Sequence, residues 1–242
     1  MTRVRVALAL VLLAAVSGPL AAQTAAEPDD WRITFTPYAW MSGVKGTVGI
    51  GANTAEVDAP FTESVEDFDI GFAGVFESRR HPWVLRADVF YVSLSDEEAV
   101  SAGQVLTVGQ DEFMLNPEVG YTLLARPWGG VDGLIGARYW NMSVDLALSP
   151  QEVSGDRNWV DGTVGALFRY EPADKWHLNA KADIGAGGSD FTWQVYGGAG
   201  YDLGSCCSLV GVYRFLDVDY DKDDVLFDMQ ISGPALGVTL RF

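Results

Sequence analysis

The last ten residues, Gly233 to Phe242, alternate strictly and close on an aromatic side chain. Pro234, Leu236, Val238 and Leu240 form one apolar stripe, and Ala235, Gly237, Thr239 and Arg241 form a small or polar one. Successive side chains of a strand point to opposite faces, so this segment makes a strand with one greasy side. A soluble sheet turns that side into a core, whereas the wall of a membrane barrel turns it to lipid and the other side to the lumen. The terminal strand thus narrows the chain to two architectures, and the remaining residues choose between them.

The N-terminus predicts export. Arg3 and Arg5 precede an apolar stretch from Ala7 to Val16, and Gly18 to Ala22 read as a small-residue cleavage site before Gln23. The expectation is a signal peptide over 1–22 and a single mature domain over 23–242. A helical span needs about 20 apolar residues, and no run in the chain approaches that. No cysteine stands at the cleavage site, which argues against a lipid anchor. Loss of Arg3 and Arg5 from the 16 basic residues leaves 14 against 33 acidic ones, a net charge of −19. So acidic a chain is a poor partner for nucleic acid. Acidic loops could instead hold a divalent cation against anionic lipopolysaccharide.

Period-two alternation divides the chain into long segments joined by two kinds of connection. Short ones rich in Pro, Gly, Ser or charge fall at Arg79 to Pro82, Arg126 to Gly130, Glu171 to Lys175 and Gly204 to Ser208. Longer polar ones fall near Ser42 to Asp67, Ser95 to Gln110, Ser149 to Arg157, Gly187 to Asp190 and Tyr220 to Val225. Short turns on one side and longer loops on the other predict an all-β, antiparallel up-and-down transmembrane barrel. The turns give about ten strands, with eight or twelve as alternatives. Gly46 to Phe61 alternates weakly and offers an extra hairpin.

Strand length separates barrel from sandwich. Segments of 10 to 17 residues suit tilted membrane strands, while globular strands average about 5 to 6. From Trp176, one face carries Trp176, Leu178, Ala180, Ala182 and Ile184, and the other His177, Asn179, Lys181 and Asp183. Phe113, Leu115, Pro117, Val119, Tyr121 and Leu123 likewise oppose Glu112, Met114, Asn116, Glu118, Thr122 and Arg126. Aromatics near segment ends, namely Trp31, Trp40, Trp83, Trp128, Trp140, Trp159, Trp176, Trp193 and Tyr213, are expected to form two interfacial girdles.

With these features in place, the chain resembles small proteobacterial outer-membrane β-barrel proteins of mostly unassigned function. The resemblance rests on Thr36 to Gly43 with Gly46 to Gly49, on Gly136 to Trp140, on Tyr213 to Tyr220 and on the closing segment. It implies the fold, a place in the cell outer membrane, and handling by the barrel-assembly machinery. The assembly signal of such proteins is similar to Gly237, Leu240 and Phe242 here, with Ala235 at a position that is usually polar. It implies no activity and no cofactor.

The polar faces collect a candidate lumen network: Arg86, Asp88, Glu112, Glu118, Arg138, Asp161, Arg169, Lys181, Asp183 and Arg214, with Arg32, Glu77 and Arg126 on the same parity. Charges of both signs in a narrow lumen are expected to pair and close it. Unpaired, they would tune a pore. Asp217, Asp219, Asp221 and Asp228 have the spacing of a calcium loop, but Lys222 stands where that loop needs glycine. Of two histidines, His81 lies in a turn and His177 near a strand start, and no nucleophile motif accompanies them. Cys206 and Cys207 are adjacent, closer at about 3.8 Å between α-carbons than an ordinary disulfide allows. The expected role is therefore non-enzymatic, structural or surface-binding, with outer-membrane lipid and lipopolysaccharide as partners. A narrow solute channel is the first alternative and a lipid-modifying enzyme the second.

Overall fold

In the computed structural model of the chain, residues 30–50, 53–59, 68–100, 104–148, 151–222 and 225–242 are described. The expected signal peptide over 1–22 and the domain start at 23 lie outside them. The described residues form β1 (Arg32–Trp40), β2 (Gly43–Ile50), β3 (Asn53–Ala59), β4 (Phe68–Arg80), β5 (Trp83–Val100), β6 (Gln104–Arg126), β7 (Gly129–Leu148), β8 (Gln151–Ala173), β9 (Trp176–Gly187), β10 (Phe191–Asp202), β11 (Cys207–Lys222) and β12 (Val225–Arg241).

The sheet runs β1-β4-β5-β6-β7-β8-β9-β10-β11-β12, and β12 pairs back onto β1. The β1–β12 pairing closes the ring, the arrangement strands need in order to cross a bilayer. β1 and β2 run end to end along β12, opposite Ala235–Arg241 and Val225–Ser232 respectively. The ring therefore has ten strands, the number expected from the turns, and β3 is one strand more. β2 and β3 make the hairpin that the weak alternation offered. In it Lys45 stands 2.9 Å from Asp58, whose hydrogen bond and negative charge hold the lysine pKa above its ordinary value.

All four short turns gather at one end of the ring. Arg80 pairs with Trp83, Arg126 with Gly129, Ala173 with Trp176 and Asp202 with Ser208. Thr34 opposite Arg241 brings the start of β1 and the end of β12 to the same end. Gly129 has φ +143°, and a Cβ there would lie 2.1 Å from the Arg169 carbonyl oxygen, so this turn admits only glycine.

The opposite end departs from expectation. Ser95 to Gln110 and Ser149 to Arg157, read above as loops, are largely strand. β5 and β6 stay paired as far as Val100 and Gln104, and β7 and β8 as far as Leu148 and Gln151. Backbone ladders need no apolar face, so they continue past the point where the greasy stripe ends. Lys222 pairs with Val225, so the connection expected at Tyr220 to Val225 shrinks to two residues. At Gly187 to Asp190 only 188–190 separate β9 from β10.

Around the ring, outward positions form an uncharged belt. Trp83 to Tyr91 on β5, Phe113 to Leu123 on β6, Val131 to Tyr139 on β7 and Trp176 to Ile184 on β9 present only apolar, aromatic or small residues. These stretches match the roughly 9–11 residues a tilted strand needs to cross the hydrocarbon. Leu123 and Ile135 are 68% and 66% exposed, a poor arrangement in water and a favourable one in lipid. At the short-turn end three edge-to-face pairs, Trp83–Tyr121, Trp128–Tyr170 and Trp176–Tyr201, form a girdle with exposed Trp31. Trp40, Trp140 and Trp159 do not join a girdle: they point inward, on the parity of Tyr38, Arg138 and Asp161. Tyr213 stands within the belt between Leu209 and Asp217 rather than at its edge.

Candidate functional site in the lumen

Three polar groups of side chains meet inside the ring. Nearest the short turns, Asp132 is fully buried on β7. It accepts from Arg79 of β4 at 2.8 Å, Arg169 of β8 at 3.1 Å and Thr122 of β6 at 2.8 Å. Arg79 also contacts Glu77 at 3.1 Å, and Glu77 accepts from Arg86 at 3.1 Å.

Further in, Lys181 bridges Glu118 and Asp183, each at 2.7 Å. Asp183 also accepts from Arg138 and from Gln194, and Arg138 donates to Thr192. Arg86 lies 3.6 Å from Glu118 and donates to the Tyr196 hydroxyl at 2.6 Å. The third group joins Arg214 to Asp88 at 3.2 Å, with Tyr38 accepting from Arg214 and donating to Asp88. Strand pairing explains some of the contacts: Glu77 faces Arg86, Arg86 faces Glu118, and Asp183 faces Gln194 in register. A buried charge persists at neutral pH only when paired, and each of these has an ion-pair partner, while Arg86 Nε, Glu118 Oε2, Arg138 Nε and Arg214 Nε are buried without a hydrogen bond among the described residues.

Above the charges the lumen changes character. Trp140 stacks on Trp159 with centroids 6.0 Å apart, and Trp159 lies 4.8 Å from Tyr220. Met114, Leu216, Val218, Phe227, Met229 and Ile231 complete an apolar layer buried from solvent. Arg214 joins the two levels, its guanidinium 4.5 Å above the Trp40 ring. Among the lower charges, Glu77, Arg86, Asp88, Arg169 and Arg214, a cavity of about 800 Å³ extends to residues of the short-turn end. Its lining includes Tyr38, Arg86, Asp88, Tyr196 and Arg214 inside the ring, and His177, Asp202 and Arg241 at the short-turn end.

The expected network residues fall as follows. Arg86, Asp88, Glu118, Arg138, Arg169, Lys181, Asp183 and Arg214 enter the ion pairs above, together with Glu77. Asp161 is buried but accepts from the Trp159 indole and the Ser189 amide rather than from a lumenal arginine. Glu112 is buried higher up, in register with Val92 and Met142. Arg32 lies exposed at the rim, and Arg126 bonds the Ala125 carbonyl beside its turn. Arg79, Asp132, Tyr38 and Tyr196 were not singled out, Arg79 because it read as turn, although parity with Glu77, Arg138, Arg32 and Gln194 respectively marks them as inward.

In the closing strand, Leu240 faces outward and Gly237 packs flat against β1, where a Cβ would come 2.7 Å from the Pro37 carbonyl. Ala235 is buried opposite Trp40, so the residue at the usually polar position sits beneath a ring. The Phe242 amide donates to the Ile33 carbonyl at 2.9 Å.

Asp217, Asp219 and Asp221 lie in β11 and Asp228 in β12, with Asp219 opposite Asp228. A strand ladder cannot wrap an ion as a calcium loop does, and among the described residues no acidic or histidine group has the geometry of a metal site. At the short-turn end, Ser208, Asp202 and His177 approach one another without forming a nucleophile relay. The Ser208 hydroxyl donates to Asp202 at 2.7 Å, and His177 Nδ1 lies 3.5 Å from the same carboxylate. The carboxylate, not the imidazole, holds the hydroxyl proton.

No family model and no curated protein matches the sequence. Solved structures do match the fold. The outer membrane protease OmpT of Escherichia coli is similar at a TM-score of 0.58 and 9% identity, over 91% of this chain and 99% of that one. The translocator domain of the autotransporter NalP of Neisseria meningitidis gives 0.47 and 14%, over 89% and 90%. Ail of Yersinia pestis, in complex with the heparin analogue sucrose octasulfate, gives 0.43 and 12%, over 88% and 98%. The fold is that of an outer-membrane β-barrel.

Proposed function

We propose that this chain is an integral barrel of the cell outer membrane with a closed lumen, acting as a structural or surface-binding element rather than an enzyme. The observation that carries this reading is the double closure: paired charges at one level and an aromatic layer above them. Lipid and lipopolysaccharide are the partners the uncharged belt suits. A purified barrel reconstituted in planar bilayers is expected to stay electrically silent. Discrete conductance from the wild-type protein would overturn the reading.

The cavity of about 800 Å³ inside the ring favours a gated solute path as the second reading. Conductance that changes on Arg86→Ala or Arg138→Ala substitution would support it over the first. A lipid-modifying activity has less support, since His81 and His177 both lie at the short-turn end, away from the outer leaflet where lipid A resides. Unchanged lipid A on overexpression, with His177→Ala behaving as wild type, is the expected result. The protease activity named for OmpT belongs to that protein, and the shared feature is the fold.

A further inference from the structure

Cys206 lies in the turn between β10 and β11 and Cys207 opens β11, next in sequence to Gly204 and Ser205 of the cavity lining. Both are free thiols, Cys206 exposed and Cys207 half-buried, and their sulfurs stand 3.3 Å apart. Adjacent α-carbons are only about 3.8 Å apart, short of the roughly 4.4 Å at which disulfides begin, so joining the pair internally strains the backbone. The thiols therefore stay available even in an oxidising compartment.

The turn fixes their relation. The Cys207 carbonyl accepts from Leu203 N–H at 3.0 Å, and the Cys206 carbonyl from Arg241 N–H at 2.8 Å. The backbone of the pair is thus held, and the sulfurs 3.3 Å apart present a bidentate donor. Its bite selects the ligand. With metal–sulfur bonds of about 2.3 Å, a linear two-coordinate ion needs sulfurs about 4.6 Å apart, whereas 3.3 Å corresponds to an angle near 90° at the bound atom. A pyramidal trivalent centre has that angle.

We propose that Cys206 and Cys207 form a chelating site for a soft trivalent metalloid, arsenic(III) being the type ion. Capture of an organoarsenic(III) oxide forms two As–S bonds, breaks two S–H bonds and the As=O bond, and releases one water. Arsenic remains trivalent, so no oxidant or reductant takes part.

The probe is phenylarsine oxide added to the folded full-length barrel in detergent, with free thiols counted by an aromatic disulfide reagent. Two thiols are expected before addition and none after one equivalent. In Cys206→Ser and Cys207→Ser the remaining thiol is expected to need about a hundredfold more arsenical, because the second bond is no longer intramolecular. Heat-modifiable gel mobility verifies that each variant has folded. Thiols that still react after one equivalent overturn the proposal. So does a protein two hydrogens lighter in mass that shows no thiol before reduction, or single variants that capture the probe as tightly as the wild type.

Discussion

Asp132 and Asp161 show how differently two buried carboxylates on neighbouring strands are held. Asp132 balances two guanidiniums, so its removal strands Arg79 and Arg169 in a low-dielectric lumen. Breaking such a pair costs about 3–5 kcal/mol. Asp161 accepts only from an indole and an amide in the bonds that hold it, and loss of neutral bonds costs about 1–3 kcal/mol. Urea unfolding in detergent, followed by tryptophan fluorescence, is expected to show Asp132→Ala losing more stability than Asp161→Asn. Equal losses would mean the ionic group does not hold the barrel. At this scale the sequence was readable by parity alone, provided parity was applied consistently. The alternation that puts Arg138 in the lumen also puts Trp140 there two residues later, and the general preference of tryptophan for interfaces misled where local period did not. Partner choice was not readable: that Lys181 bridges to Glu118, on a strand far from its own in sequence, depends on barrel stagger, which no single segment encodes.

Among elements, the seam between β1 and β12 determines whether a cylinder exists. Gly237 lets the two backbones approach, and a side chain there meets the Pro37 carbonyl and Tyr38. Gly237→Val is expected to deplete the folded, heat-modifiable band on a gel, while Leu236→Val, on the lipid side, leaves it intact. A closed band in the Gly237 variant would refute the close-approach argument. The β2–β3 hairpin is less demanding, because the β1–β4 and β1–β12 pairings close the short-turn half of the ring without it, and only Val225–Ser232 of β12 loses its β2 partner. Replacing residues 44–59 by a short Gly-Ser linker is expected to preserve heat-modifiability. The urea midpoint should still fall, since Val44 and Val48 pack on the apolar layer. Turn chemistry made the ten strands legible, through Pro or Gly in each of the four short connections. Strand ends on the other side were not legible, because polar residues in a continuing ladder look the same in sequence as polar residues in a loop.

For the whole molecule, the two closures lie in series along the lumen, and conduction requires both to open. Arg214→Ala removes the guanidinium that ties Asp88 and Tyr38 together, yet leaves Trp140, Trp159 and the methionines across the path. Trp159→Ala opens a gap in that layer, at a cost of about 3–5 kcal/mol for a buried aromatic, but leaves the ion pairs below it closed. Each single variant is therefore expected to be as silent in a planar bilayer as the wild type. The combined Arg214→Ala, Trp159→Ala variant is expected to show discrete steps, provided its heat-modifiable band survives. Conductance from Trp159→Ala alone would mean that the charged level already conducts and that the aromatic layer is the whole gate. Silence of a folded double variant would mean that the remaining pairs, Lys181 with Glu118 and Asp183 among them, close the barrel unaided.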